Sequence, residues 1–290
     1  MMFLFLSAVF ALSATAQDVT RRVKVSDFNG ISAGSVFDIT LIRANSCSVE
    51  IVCPKEVEEA LDVKVSGGNL VLMLKTDVLE KKVRHNFRGS VRAVVRMPVL
   101  KRLQLSGAAR LSTTSVFDGA GIEMGLSGAS SATGLNFTVD RVRVETSGGS
   151  RFDMKGTFKE ASYGLSGGSA ADLKITADNL KIGASGGANI NMAVKCERIT
   201  IGMSGGVRIT ASGETGSLNA GSSGGACLEA VELKANDVTL EGSGATQLRV
   251  WAVQNLNVNN LSGAASVRYT GDPRFGTLRI DRGSFEKLNP

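Results

Sequence analysis

The chain has 290 residues, with 33 Lys and Arg against 27 Asp and Glu, one histidine, and a net charge of +6. Apolar residues make up 43%, enough for a packed core, which excludes a wholly disordered chain. Glycine is abundant (34) and proline scarce (4), against a collagen-like or proline-rich chain. His85 alone would have to serve any His-based metal site or Ser–His or Cys–His catalysis.

Residues 1–16 (MMFLFLSAVFALSATA) carry no charge and close on Ala14-Thr15-Ala16, an A-x-A cleavage pattern. The run falls short of the ~20 apolar residues that a membrane span needs. It is read as a signal peptide cut between Ala16 and Gln17, with the mature chain exported. No cysteine stands near the cut to take a lipid anchor, and no later stretch suits a transmembrane span.

Residues 17–100 are expected to form N-terminal coils and a cap. VFDITLI (36–42) and SVEIVC (48–53) alternate as strands, with 43–46 as a turn. PKEVEEALD (54–62) predicts one short helix, with Pro at its start and acids in its first turns. VKVSGGNLVLML (63–74) predicts a hairpin around Ser66-Gly67-Gly68-Asn69. Cys47 and Cys53 lie six apart in an extended run, ~20 Å, beyond disulfide reach. With Cys196 and Cys227 they read as four unpaired thiols, and no C-x-x-C invites zinc.

From residue 101 a Ser-Gly-(Ala/Gly) motif recurs, at Ser106, Ser127, Ser147, Ser166, Ser185, Ser204, Ser223, Ser243 and Ser262. A spacing near 20 residues signals a solenoid of stacked turns. Five residues after each Ser the residue is always apolar, as in Phe152, Ala171, Ile190 and Leu228; six after, it is always polar. Period-two alternation means strand with one face inside. The prediction is an all-β fold, a right-handed single-stranded parallel β-helix of ~20-residue coils. The repeat is placed at 101–276, and 277–290 is a C-terminal tail or cap, Gly271 and Pro273 ending the pattern. Glycine at the recurring motif suits a tight corner where backbones approach closely.

Phe28-x-x-Ile31, Gly67-x-x-Leu70, Met97-Pro98-x-Leu100, the serial Ser-Gly motifs and Tyr269-x-Gly271-x-Pro273 together resemble the auto-transporter adhesin head GIN domain family, over residues 28–276. The resemblance implies an exported bacterial envelope protein with a β-helical fold and no assigned activity. It supplies no catalytic residues.

Several motifs look chemical. Gly-x-Ser-x-Gly surrounds Ser166, Ser185, Ser204 and Ser223, but a nucleophile elbow is a single strand-to-helix turn, and four copies in phase with a repeat are its by-products. Gly-Gly-x-x-x-Asp at 148–153 and 167–172 lacks the third glycine of a calcium β-roll. The polar column with Asp153, Asp172, Asn191 and Glu229 should line one outer face; it is read as a solvated face, a ligand-binding face or, least of all, a catalytic groove. Residues 81–110 hold nine basic side chains and no acid, among them Lys81, Lys82, Arg84, Arg88 and Arg92. These protect a strand edge or meet an anionic partner. With only Phe87 interleaved, nucleic acid is not the expected partner.

The expectation is therefore a non-enzymatic, adhesion-like binding module for surface glycans or envelope proteins, in the periplasm or on the cell surface of a bacterium, without metal or cofactor. The alternatives are a carbohydrate-active β-helix enzyme and a purely structural periplasmic protein.

Overall fold

The computed structural model describes residues 18–78 and 89–288. The signal-peptide segment, its cut at Ala16 and Gln17, and Lys81, Lys82, Arg84, His85 and Arg88 lie outside the described residues. The fold is a parallel β-solenoid of about ten turns, 74% strand.

The first part contains β1 (Asp18–Val23), β2 (Gly30–Ala33), β3 (Phe37–Arg43), β4 (Ser48–Pro54), β5 (Leu61–Ser66), β6 (Asn69–Leu74) and β7 (Val91–Met97). β5 and β6 form the expected antiparallel hairpin; Gly67 and Gly68 at its tip have φ of 57° and 75°. The expected helix is a 3-10 turn, Lys55–Ala60, burying Val57 and Ala60. β3 and β4, adjacent in sequence, do not pair with each other. β7 lies between them, parallel to β3 and antiparallel to β4, and β1 adds antiparallel outside β4. These antiparallel strands cover the N-terminal end of the solenoid, while β2 and β3 pair in parallel with the first repeat coil.

The coils follow as β8 (Arg102–Leu105), β9 (Arg110–Thr113), β10 (Val116–Leu126), β11 (Ser131–Thr146), β12 (Arg151–Leu165), β13 (Ala170–Gly186), β14 (Asn189–Gly205), β15 (Arg208–Gly224), β16 (Cys227–Gly242) and β17 (Gln247–Ser262). β18 (Ser266–Thr270), β19 (Arg274–Asp281) and β20 (Ser284–Lys287) continue the parallel pairing past Gly276. β12, β13, β14 and β15 stack in unbroken register at intervals of 19 residues, Ala170 on Arg151, Asn189 on Ala170, Arg208 on Asn189. Where β16 brings an extra residue, the register with β15 slips once, between Thr210 and Ser212.

Each coil has a glycine corner and a polar corner. At the first, the glycine after the motif serine has positive φ in all nine copies, from 66° at Gly107 to 84° at Gly205. The corners stack by backbone bonds such as Gly187 N–H to Gly167 O, 2.9 Å. Two residues further on, an inward column of small side chains fills the angle: Ala109, Ser130, Ser150, Ser169, Ala188, Val207, Ala226, Thr246 and Ala265, all buried. Ser150 Oγ–H satisfies itself on Ser147 O at 2.9 Å, which is why a serine survives there. At the second corner two successive residues face out, as at Glu197-Arg198, and alternation resumes with opposite phase. These corners exchange polar contacts between coils: Lys159 to Asp140 at 2.9 Å, Arg141 to Glu160 at 3.3 Å, Arg198 Nε to Asn179 at 2.7 Å. Between corners the apolar column five after the motif serine, from Leu111 to Val267, is buried in every coil.

Candidate functional site

Downstream of the glycine corner, the outer surface is hollowed into an open groove of about 650 Å³ that runs across the coils. A positive-φ glycine sits near this bend in three coils, Gly134 (73°), Gly213 (110°) and Gly271 (96°). A Cβ on Gly134 would stand on the carbonyl of Thr113. That close backbone approach turns the arm inward.

Parallel register builds the groove's walls, since residues one coil apart stack ~4.8 Å from each other. One wall is the predicted polar column: Asp153 on Asp172, then Asn191, then Thr210. The opposite wall, two residues on, has Lys155 on Lys174, then Ala193 and Ser212. Met154, Leu173 and Met192 lie between, buried in the core and forming the floor, with Thr113 and Thr114 at one end and Glu232 at the other. Asp153 Oδ1 accepts the Gly134 N–H at 2.8 Å, and Asn191 Nδ2 donates to Asp172 Oδ1 at 2.9 Å. The acids are thus held in place, and each has further acceptor capacity toward the groove.

The remaining predicted residues fall elsewhere. Glu229 continues the same stacked column beyond the groove and receives Arg249 Nη1 at 2.9 Å. Arg92 on β7 is half-buried and donates to Asp18 of β1 at 2.9 Å; its charge is spent on the cap. The serines of the Gly-x-Ser-x-Gly motifs stand at the glycine corner with strand on both sides, and Ser166 Oγ–H donates to Thr146 O at 3.0 Å. Among the described residues, no group of three or more His, Cys, Asp or Glu is placed to hold a metal. The four cysteines are unpaired. The sequence reading missed the lysine wall, although Asp-x-Lys at 153–155 and again at 172–174, one coil apart, was there to be seen.

The fold and groove define a class: a parallel β-solenoid with an antiparallel N-terminal cap and a lateral groove. Residues 27–174 and 170–273 match the family described as "Putative auto-transporter adhesin, head GIN domain". The chain belongs to that family. A search of curated proteins finds no relative of it. Solved structures share the fold: a putative lipid binding protein from Parabacteroides distasonis (17% identity, TM-score 0.51, 94% of this chain and 98% of that one); a putative adhesin from the same organism (16%, 0.57, 94% and 97%); and a putative adhesin from Parabacteroides merdae (15%, 0.54, 94% and 97%). Among the described residues no helix is long and apolar enough to cross a membrane.

Proposed function

We propose that this protein is an exported, non-enzymatic binding module of the bacterial cell envelope, and that the groove holds a surface glycan extended along the solenoid axis. The observation behind this is the pairing of Asp153 and Asp172 on one wall with Lys155 and Lys174 on the other, in two successive coils. Such walls offer acceptors and donors at a fixed spacing to a chain that also repeats. The family's adhesin description agrees with binding at a surface.

The geometry argues against the carbohydrate-active alternative. Sugar cleavage needs an acid and a base on opposite sides of the scissile bond, whereas Asp153 and Asp172 are neighbours on one wall and both already accept a hydrogen bond.

The test is a glycan array followed by calorimetry on the wild type and on Asp172→Ala and Lys174→Ala. Loss of about tenfold or more in affinity for both variants is expected, since each removes a charge-assisted contact. Undiminished binding would move the site off the groove. No binding to any glycan would favour the structural reading, and new reducing ends in the mixture the enzymatic one.

A further inference from the structure

The two ends of the solenoid are finished differently. β7, β4 and β1 close the N-terminal end with antiparallel strands. At the other end, among the described residues, the last coil has no such antiparallel cover. Phe275, Leu278 and Ile280 of β19 stack on Leu256, Val258 and Leu261 of β17, which are core residues. They therefore point inward, yet they are 49%, 40% and 42% exposed, because among the described residues no strand pairs on the outer edge of β19. β20 rises one level higher: it pairs on β18, with Phe285 over Val267, and Phe285 packs against Tyr269 and Phe275 at 5.0 and 5.8 Å between ring centroids. Among the described residues β19 pairs only with β17, and β20 only with β18. The end of the molecule is thus a step, with β20 as the tread and the outer edge of β19 as the recess beside it, joined by the corner at Arg282-Gly283.

We propose that this step is an interface between two copies of the chain, each inserting its β20 into the recess above the other's β19. A two-fold axis through the corner carries the arm before it onto the arm after it. It also reverses the chain, so β20 of one copy runs antiparallel to β19 of the other. An axis between Arg282 and Gly283 fixes the register: Ser284 opposite Asp281, Phe285 opposite Ile280, Glu286 opposite Arg279, Lys287 opposite Leu278. That register matches side to side. Phe285 and Ile280 both face the core and extend it across the junction. Glu286 and Arg279 both face out with opposite charge. Lys287 is the one polar residue on the inner side, and its ammonium is already held away by Asp272. Glu286 lies 3.5 Å from Arg268, so Arg279 would join an acid flanked by two guanidinium groups. The pairing satisfies two strand edges and covers the open core in one closed contact. A free apolar edge is otherwise a site of open-ended association.

The interface is small, so it belongs to the weak, concentration-dependent class. Sedimentation of the full chain is expected to show a monomer–dimer equilibrium within a range up to ~200 µM. Ile280→Lys should give a monomer. Arg279→Glu, which sets acid against acid, should weaken the dimer about tenfold or more, and adding Glu286→Arg should restore it. All three positions lie on the outer rung, and thermal melts of each variant check that folding is intact. A monomer throughout that range, a dimer indifferent to Ile280→Lys and Arg279→Glu, or assemblies growing beyond two would each overturn the proposal.

Discussion

Gly186 and Gly183 lie three residues apart on β13 and meet opposite demands. Gly186 has φ of +74°, and a Cβ there would stand 2.9 Å from the carbonyl of Gly167. Gly183 has an ordinary φ and nothing within 4 Å of its would-be Cβ. Gly186→Val should cost about 3 kcal/mol or more, the left-handed penalty plus displacement of the coil below. Gly183→Ala should leave stability unchanged or raise it by up to about 1 kcal/mol. Urea unfolding monitored by circular dichroism separates them, and equal midpoints would deny the corner its special backbone. The cysteines give a second test at this scale. Burial pushes the thiols of Cys53 and Cys196 up from their usual range, so in the native protein both should react far more slowly with a thiol reagent at pH 8 than after denaturation. The sign for stability follows. An acid whose folded pKa is raised contributes fully below its unfolded value, 9.0, and that contribution is lost as pH rises through the folded value. Alkaline titration should therefore lower the melting temperature from about pH 9 upward, and less so in a Cys53→Ala/Cys196→Ala variant. Identical alkaline profiles would mean that these thiols are not desolvated.

Among the elements, what was legible in the sequence was what repeats or what is local. The Ser-Gly corner, the buried column five residues after it and the polar column beside it came from periodicity alone, because parallel stacking puts like positions in register and makes one coil's pattern every coil's pattern. The hairpin at Gly67-Gly68 was legible because its turn chemistry lies within four residues. The insertion of β7 between β3 and β4 was not, since all three strands alternate alike and nothing local says which edge a strand will choose. The second corner went unread for a different reason. It has no recurring glycine (only Gly121 and Gly216 stand there), just two outward residues in succession, Lys159-Glu160, Asp178-Asn179, Glu197-Arg198, and a loss of phase is quieter than a repeated motif. It nonetheless carries inter-coil ion pairs, Lys159–Asp140 and Arg141–Glu160, which are exposed and worth little individually. For the groove, one wall was legible and the other was not: aligning on serine made the column six residues on visible as uniformly polar, while the lysines two residues further on share their column with Ala193 and Ser212 and look unremarkable until the arm is seen to bend.

At the scale of the molecule, the strict 19-residue register from β12 to β15 makes coils interchangeable, and this can be tested by removing one. Deleting residues 189–207 joins Ala188 to Arg208 and sets Arg208 where Asn189 stood, on Ala170. The glycine corner, the inner small residue and the polar corner all keep their phase; Ile209 takes the place of Ile190 and Leu218 that of Ile199. The shortened chain should fold, lose about 1–3 kcal/mol as its share of a stack stabilised at ~0.05–0.15 kcal/mol per residue, and unfold as cooperatively as before. Deleting only 189–198 removes about half as much core but moves every following residue half a coil, setting glycine corners against polar corners and outward residues over inward ones. That chain should lose its cooperative melt altogether. If the two deletions behaved alike, the coils would not be modular units in register. The 19-residue deletion also removes Asn191 and Met192 from the groove while leaving Asp153, Asp172, Lys155 and Lys174 in place, so a chain ligand held mainly by those four should still bind the shortened solenoid, though less tightly.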